Sequence, residues 1–225
     1  TAYHREASRL ESLKNITERY DGYGNSIRRV MEQKNREPGI KGVVADIIHV
    51  QKDYEVAIET ALGGSIQNIV TDNEQTAKRM IGFLKKNRFG RATFLPLSNI
   101  SGRGGLNQRD VLSEPGVVGT ANTLVNADKE YSELVMYLLG RVLVVDNIDH
   151  AIAIGKKYRH SLRMVTIEGE SLSPGGSMTG GAFKNNSNLL GRRREIEELE
   201  RSVGILRKEL EETQKSMNGL RPSTL

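Results

Sequence analysis

The fold is decided by residues 131–147, which read YSELVMYLLGRVLVVDN. The first nine residues carry apolar side chains at helical spacing, and Gly140 follows them as a left-handed C-cap. Residues 142–145 are all apolar and mostly β-branched, which is typical of a buried strand. Asp146 and Asn147 offer side-chain oxygens that can cap a further helix. The stretch therefore predicts a helix, a stop, a strand and a capped helix, in that order.

A second copy of this pattern lies upstream at residues 54–73, which read YEVAIETALGGSIQNIVTDN. Both copies contain a helix, a Leu-Gly stop, a strand (66–70 and 142–145) and an Asp-Asn cap. In both, a second helix and a last strand (92–97 and 163–167) follow. The repeat predicts an α+β protein with two similar subdomains at about 39–100 and 126–190, joined by a linker at about 101–125.

The two ends of the chain differ from this glycine-rich middle part. Residues 191–218 carry apolar side chains alternately three and four residues apart, which is the a/d pattern of a coiled coil. These side chains are Ile196, Leu199, Val203, Leu206, Leu210 and Met217. Residues 1–20 repeat the period more weakly. We expect an antiparallel coiled-coil pair flanking a globular region at 21–190; a plain amphipathic helix on the core is the alternative. Residues 219–225 break the heptad and are expected to be an added tail.

Composition narrows the classes of function. The 225 residues include no cysteine and four scattered histidines, so we expect no disulfide, no metal site and no thiol nucleophile. No segment has the length and apolarity of a membrane span, and no leader sequence is visible, so a protein inside the cell is expected. The net charge of +5 suits an anionic partner but is also compatible with ordinary solubility.

The segment SPGGSMTGG, residues 173–181, contains two pairs of glycines five residues apart. Ordering glycine costs entropy, so the pairs need a structural reason. A phosphate cradle would make the chain a nucleotide- or phosphate-metabolite-binding enzyme, but Ala182 and Phe183 stand where the P-loop needs Lys and Ser/Thr. Close approach of a second backbone is the favoured interpretation, and a flexible loop is the third. No catalytic set of side chains assembles elsewhere.

Basic residues cluster at the ends of several predicted helices. Lys85 and Lys86 close the second helix of the first copy, where cations either complement the helix dipole or contact phosphates. Arg192 and Arg193 begin the C-terminal helix, where positive charge opposes the dipole, so they are better candidates for binding a partner.

The order of these features resembles the hinge of structural maintenance of chromosomes (SMC) proteins, in a bacterial form. The resemblance is carried by GVVAD at 42–46, residues 54–63, TFLPL at 93–97, residues 163–169 and PGGSMTGG at 174–181. It covers nearly all of residues 39–183.

The resemblance implies a ring-shaped homodimer that joins two coiled-coil arms and serves chromosome condensation and segregation. It implies that Gly175, Gly176, Gly180 and Gly181 lie at or near the contacts between protomers. It also implies non-sequence-specific DNA binding, for which Lys85, Lys86 and Lys184 are the candidates. ATPase heads and kleisin contacts would belong to other parts of the parent protein, which is expected in the cytoplasm at the nucleoid. No cofactor is implied, and the absence of Walker motifs predicts that this chain is not itself an enzyme.

Overall fold

The computed structural model describes residues 1–102, 104–182 and 189–220. Two compact units are present: one contains residues 1–21 and 192–225, and the other contains residues 22–191. The second unit carries the repeat and the three sheets of the described residues, so it is the globular part of the protein.

Eight helices and ten strands occur among the described residues. The helices are α1 Ala2–Glu18, α2 Asn25–Met31, α3 Val44–Ile47, α4 Glu55–Leu62, α5 Glu74–Asn87, α6 Ser132–Leu139, α7 Ile148–Lys157 and α8 Leu189–Gly219. The strands are β1 Ile40–Val43, β2 His49–Val50, β3 Ile69–Thr71, β4 Phe94–Pro96, β5 Val117–Thr120, β6 Val125–Asn126, β7 Val142–Val145, β8 Arg163–Thr166, β9 Ser171–Leu172 and β10 Met178–Thr179.

The two subdomains have matching sheets of unequal width. The first sheet has the order β1-β3-β4, and the second has the order β10-β9-β8-β7-β5. In each, a central strand pairs antiparallel with one neighbour (β1 or β5) and parallel with the other (β4 or β8). β4 therefore corresponds to β8, and the second sheet has an additional hairpin, β9–β10, beyond that position.

The second helix of each copy begins as its sequence predicts. The side chain of Asn73 accepts hydrogen bonds from the backbone N–H groups of Gln75 and Thr76. Asn147 does the same for His150. Ala77 and Ala151 are both buried on the face that packs on the sheet. The capping residues and the inward faces of α5 and α7 are therefore confirmed.

The repeat extends further upstream than its helices and strands suggested. Glu-Pro-Gly-x-x-Gly occurs at 37–42 and again at 114–119. The carbonyl of Gly39 accepts the N–H of Asp72, and the carbonyl of Gly116 accepts the N–H of Asp146, both at 2.8 Å. The segment expected to be a linker, 101–125, thus contains β5, the first strand of the second copy. β5 is short and half-exposed, so it lacks the apolar run that predicts a strand, whereas the repeated Glu-Pro-Gly marks where the second copy begins.

The capping aspartates of the two copies are held alike. Thr76 donates its hydroxyl to Asp72, and this hydrogen bond is the main cause that lowers the pKa of Asp72. His150 Nδ1 lies 2.7 Å from Asp146 Oδ1, and this hydrogen bond is the main cause that lowers the pKa of Asp146. Each contact spans four residues and closes the first turn of its helix.

Three local predictions were wrong. Gly140 is not a left-handed cap, since its φ is −65°; a glycine is needed there because a Cβ would lie 2.6 Å from the carbonyl oxygen of Met136. Residues 66–68 are not part of a strand: Gly63–Gln67 form a 3-10 helix, and the strand begins at Ile69. The left-handed helix end predicted for the first copy is also wrong. Gly63 combines a φ of 53° with a ψ of −132°, which lies outside the left-handed helical region.

The two subdomains contact each other directly. β2 pairs antiparallel with β6, joining His49 to Asn126 and Val50 to Val125. Arg163 donates from a guanidinium nitrogen to the carbonyl of Ala61 at 3.0 Å. This hydrogen bond links the end of α4 to the start of β8.

The arm unit consists of α1 and most of α8. Ion pairs join Arg9 to Glu195 and Lys14 to Glu200. Ile196, Leu199 and Val203 of the predicted seam are buried, whereas Leu210 and Met217 are 37% and 65% exposed. α1 has 17 residues and α8 has 31, so the far end of α8 extends beyond the length that α1 can cover.

Across the described ranges, no helix combines the length and the apolarity needed to cross a bilayer.

Candidate dimerisation edges and basic surface

The first glycine pair shapes the turn of the β9–β10 hairpin. Gly175 and Gly176 have φ angles of 93° and 104°, a region that favours glycine. The turn is closed by hydrogen bonds from Ser173 N to the carbonyl of Ser177 and from Gly176 N to the carbonyl of Ser173. Gly175 N also donates to the carbonyl of His160. The segment is therefore an ordered hairpin.

The space around the glycine segment is largely open. A Cβ added at Gly175 or Gly181 would meet no other atom within 4 Å, and one at Gly180 would meet only Glu170, at 3.2 Å. All four glycines are exposed. The segment thus has room for another backbone.

The hairpin geometry does not favour a phosphate cradle. A P-loop lies between a strand and the N-terminus of a helix, so that helix amides face the phosphate. Here the first glycine pair lies between two antiparallel strands, β9 and β10.

β4 and β10 are the outermost strands of their sheets on the corresponding sides. An outermost strand presents backbone N–H and C=O groups that no strand of its own sheet uses. An exposed apolar side chain lies on or beside each of these two edges. Met178 on β10 and Ile81 on α5 are both 51% exposed.

A recess of about 390 Å³ lies beside the β4 edge, between α5 and the start of the strand. It is lined by Ile81, Leu84, Lys85, Gly90, Arg91 and Ala92. The corresponding recess beside α7 is smaller, about 180 Å³, and Leu172 and Met178 of the hairpin form part of its wall. The first subdomain therefore has an opening at the place where the second has its own hairpin.

Lys85 and Lys86 lie in the last turn of α5, and both are exposed. The helix ends at Arg88, which adopts the left-handed conformation and donates its N–H to the carbonyls of Leu84 and Lys85. Among the described residues, neither lysine forms an ion pair. Lys85 also lines the recess beside β4, so it belongs to two candidate surfaces.

The arginines at the start of α8 have intramolecular contacts. Arg192 donates to the carbonyl of Asp21 at 2.6 Å. Arg193 Nε lies 3.6 Å from a carboxylate oxygen of Glu197. Both side chains are half-buried. Lys184, the remaining candidate, lies outside the described residues.

No group of three or more His, Asp or Glu side chains in the described ranges is placed to hold a metal ion.

The family described as SMC proteins Flexible Hinge Domain matches residues 37–155. The chain belongs to the SMC hinge family. The matched region begins at the first Glu-Pro-Gly and contains both copies of the helix-strand-helix pattern. The resemblance seen in the sequence is thereby confirmed, and the solved hinge structures described below confirm the α+β fold class with two helical flanks.

The similar proteins are chromosome partition proteins. The chain is 40% identical over 209 residues to "Chromosome partition protein Smc" of Lactiplantibacillus plantarum, covering 92% of this chain and 18% of that protein. It is 41% identical over 214 residues to the protein of the same name from Bacillus subtilis, with 90% and 18% covered. The hinge chain thus spans about a fifth of the length of these relatives.

Solved hinge structures show the same fold. An asymmetric dimer of the Geobacillus stearothermophilus SMC hinge domain has a TM-score of 0.89 at 35% identity, covering 97% of this chain and 89% of that one. The Pyrococcus furiosus SMC hinge domain has a TM-score of 0.60 at 31% identity, covering 80% and 89%.

Proposed function

We propose that this hinge is a homodimerisation domain that joins two coiled-coil arms of a chromosome condensation and segregation protein and contacts DNA without sequence specificity. The observation that carries the proposal is the inequality of the two sheets. β8 continues into the β9–β10 hairpin, whereas its counterpart β4 is the last strand of its sheet. The hairpin of a second copy supplies what the first subdomain lacks.

Strand addition explains the glycines as well as the edges. When one chain adds a strand to another's sheet, the affinity comes largely from main-chain hydrogen bonds. Gly180 and Gly181 directly follow β10 and have no side chain to separate two backbones. The G. stearothermophilus hinge is described as a dimer, which supports the same assembly here.

Apolar burial adds to the strand contact. In the proposed assembly, Met178 of one copy approaches the recess beside β4 of the other, and Ile81 loses its exposure to water. Burying a Met or Ile side chain that is half-exposed stabilises the contact by roughly 1 kcal/mol each.

The mass of the particle in solution tests the proposal. The chain has a mass of 25.0 kDa, so a dimer has twice that mass, about 50 kDa. We expect light scattering to give the dimer mass at low micromolar concentration. A single-chain mass across the micromolar range would contradict the proposal.

DNA binding is proposed for the exposed cations at the end of α5. Lys85 and Lys86 present point charges without a carboxylate partner among the described residues, which suits phosphate contact. Arg192, Arg193 and Lys184 stay in the proposal with a smaller role, because the two arginines already have partners in the arm unit.

We expect Lys86→Glu to weaken binding to a short DNA duplex roughly five- to tenfold and to reduce the slope of log affinity against log salt by about 1. Lys86 is the better test position, since Lys85 also lines the recess beside β4. Fluorescence anisotropy at low salt measures both quantities. Lys129→Glu, at an exposed lysine of the second subdomain, is the charge-matched control. Equal losses in the two variants would remove α5 from the DNA site.

We assign no catalytic activity to this chain. We expect ATP hydrolysis and kleisin binding by the parent protein to depend on regions outside it. We expect the parent protein in the cytoplasm, at the nucleoid. A nucleotide-binding enzyme remains the alternative function, and calorimetric binding of ATP or NAD at the glycine segment would favour it.

A further inference from the structure

A second recess in the globular unit has the chemistry of an anion site. It has a volume of about 330 Å³ and lies at the start of β7 and β8. It is lined by Leu106, Asn107, Gln108, Arg141, Ser161, Leu162, Arg163 and Pro174. The lining contains two guanidinium groups, one hydroxyl and two carboxamides, and no carboxylate.

Both arginines are oriented by uncharged acceptors. Arg141 donates from Nε to the carbonyl of Gly104 at 3.0 Å. Arg163 donates from one terminal nitrogen to the carbonyl of Ala61 at 3.0 Å. A carbonyl fixes the direction of a guanidinium but does not neutralise it. In the described part of the chain, neither arginine forms an ion pair, so the recess is lined by two arginines whose charges no carboxylate neutralises.

Two acidic side chains that follow the 106–108 wall of the recess are engaged elsewhere. Asp110 and Glu114 accept hydrogen bonds from the hydroxyl of Tyr158, and Glu114 also pairs with Lys157. These contacts draw the two carboxylates toward the end of α7. The excess positive charge of the recess is thus not cancelled from that side.

We propose that this recess binds a phosphate group. Arg141 supplies the remaining donors of its planar fork, a geometry that matches phosphate oxygens. Arg163 adds a second charge, and Ser161 and the carboxamides of Asn107 and Gln108 add neutral donors. The phosphate belongs either to a small free molecule or to a nucleic-acid backbone, and the two sources share this chemistry. The lining of the recess includes neither Lys85 nor Lys86.

Arg141→Gln tests the site, because Arg141 is exposed and its replacement keeps a hydrogen-bond donor while removing the charge. Two titrations are made with the whole chain: inorganic pyrophosphate by calorimetry, and a short DNA duplex by fluorescence anisotropy. Arg109→Gln, at an exposed arginine that does not line the recess, controls for the loss of one positive charge.

We expect Arg141→Gln to lower affinity at least about tenfold in one of the two titrations and Arg109→Gln to change it less than about twofold. A loss confined to pyrophosphate identifies a small phosphate ligand. A loss in the DNA titration, in a variant whose Lys86 is intact, identifies the nucleic-acid backbone. Wild-type affinity of Arg141→Gln in both titrations, or equal losses in Arg109→Gln, overturns the proposal.

Discussion

Met178→Lys is expected to convert the hinge dimer to single chains at low micromolar concentration. Met178 lies on the edge strand β10 and is 51% exposed, so the substitution costs little in the isolated chain. In the proposed dimer, the same position is covered by the recess beside β4 of the other copy, which Lys85 and Arg91 line, so an ammonium group there would be buried beside like charges. Such burial costs about 3–5 kcal/mol, which weakens association by roughly a hundredfold or more.

Sedimentation velocity over a dilution series measures this effect. Ile81→Lys, on the opposite side of the proposed contact, is expected to act in the same direction. Val118→Lys is the matched control, because Val118 is 36% exposed on β5, at the other edge of the five-stranded sheet. If Val118→Lys dissociates the dimer and Met178→Lys does not, the interface lies at the β5 edge and the proposal is wrong.

Gly-to-Ala changes are a less selective test of the interface. Gly175, Gly176 and Gly181 all have positive φ angles, so alanine there strains the hairpin whether or not a partner is present. Gly180→Ala avoids this strain, since the added methyl meets only the Cγ and Cβ of Glu170. If Gly180→Ala unfolds at the same temperature as the wild type, a loss of dimer in this variant is due to the methyl group that separates the two backbones.

Gly116→Ala is expected to destabilise the globular unit by about 2–4 kcal/mol, from backbone strain and overpacking together. Gly116 has a φ of 86°, and an added Cβ would lie 2.3 Å from His150 Nδ1 and 2.4 Å from Asp146 Oδ1. The two side chains could move aside only by giving up the contact that closes the first turn of α7. Denaturant unfolding at fixed protein concentration measures the loss.

Gly82→Ala is the matched control, and its effect on the free energy of unfolding is expected to have the opposite sign. Gly82 lies exposed inside α5, and a Cβ there would meet nothing within 4 Å. Alanine is the better helix former, so this variant should gain about 0.5–1 kcal/mol. Equal stability of the Gly116→Ala and wild-type proteins would show that the EPG turn is not constrained as described.

The pH dependence of the Gly116→Ala effect follows from the lowered pKa of Asp146. A carboxyl group whose pKa is lowered on folding contributes stability above its unfolded pKa and loses it as pH falls through the folded value. Displacement of His150 removes the main cause of that lowering. The difference between variant and wild type should therefore narrow in acid, below the pKa of Asp146.

Local sequence patterns were sufficient where neighbouring residues fix the structure. Asn73 and Asn147 cap their helices because each side-chain oxygen accepts from a backbone N–H two or three residues further along the chain. Such a contact requires no residue from a distant part of the sequence. The apolar run at 142–145 forms β7 at its predicted residues. The same reasoning failed at 66–68, where Gly63–Gln67 form a 3-10 helix, and at Gly140, where the carbonyl of Met136 leaves no room for a Cβ.

The position of the candidate site needed information that no local pattern holds. The glycine segment was conspicuous in the sequence, but Ile81 looked like an ordinary residue of an amphipathic helix. Its exposure follows from the missing hairpin beside β4, a consequence of strand order. Arg141 and Arg163 are 22 residues apart, and only the parallel pairing of β7 with β8 brings them to one recess.

The sequence by itself determined the repeated helix-strand-helix units, the helical flanks and the family, because these depend on spacing and capping within about twenty residues. The tertiary structure decided that 114–120 belongs to the second copy, which sheet edges are open, and which arginines already have partners. Those properties arise when strands far apart in the chain become neighbours, and periodicity along a single segment does not encode that choice.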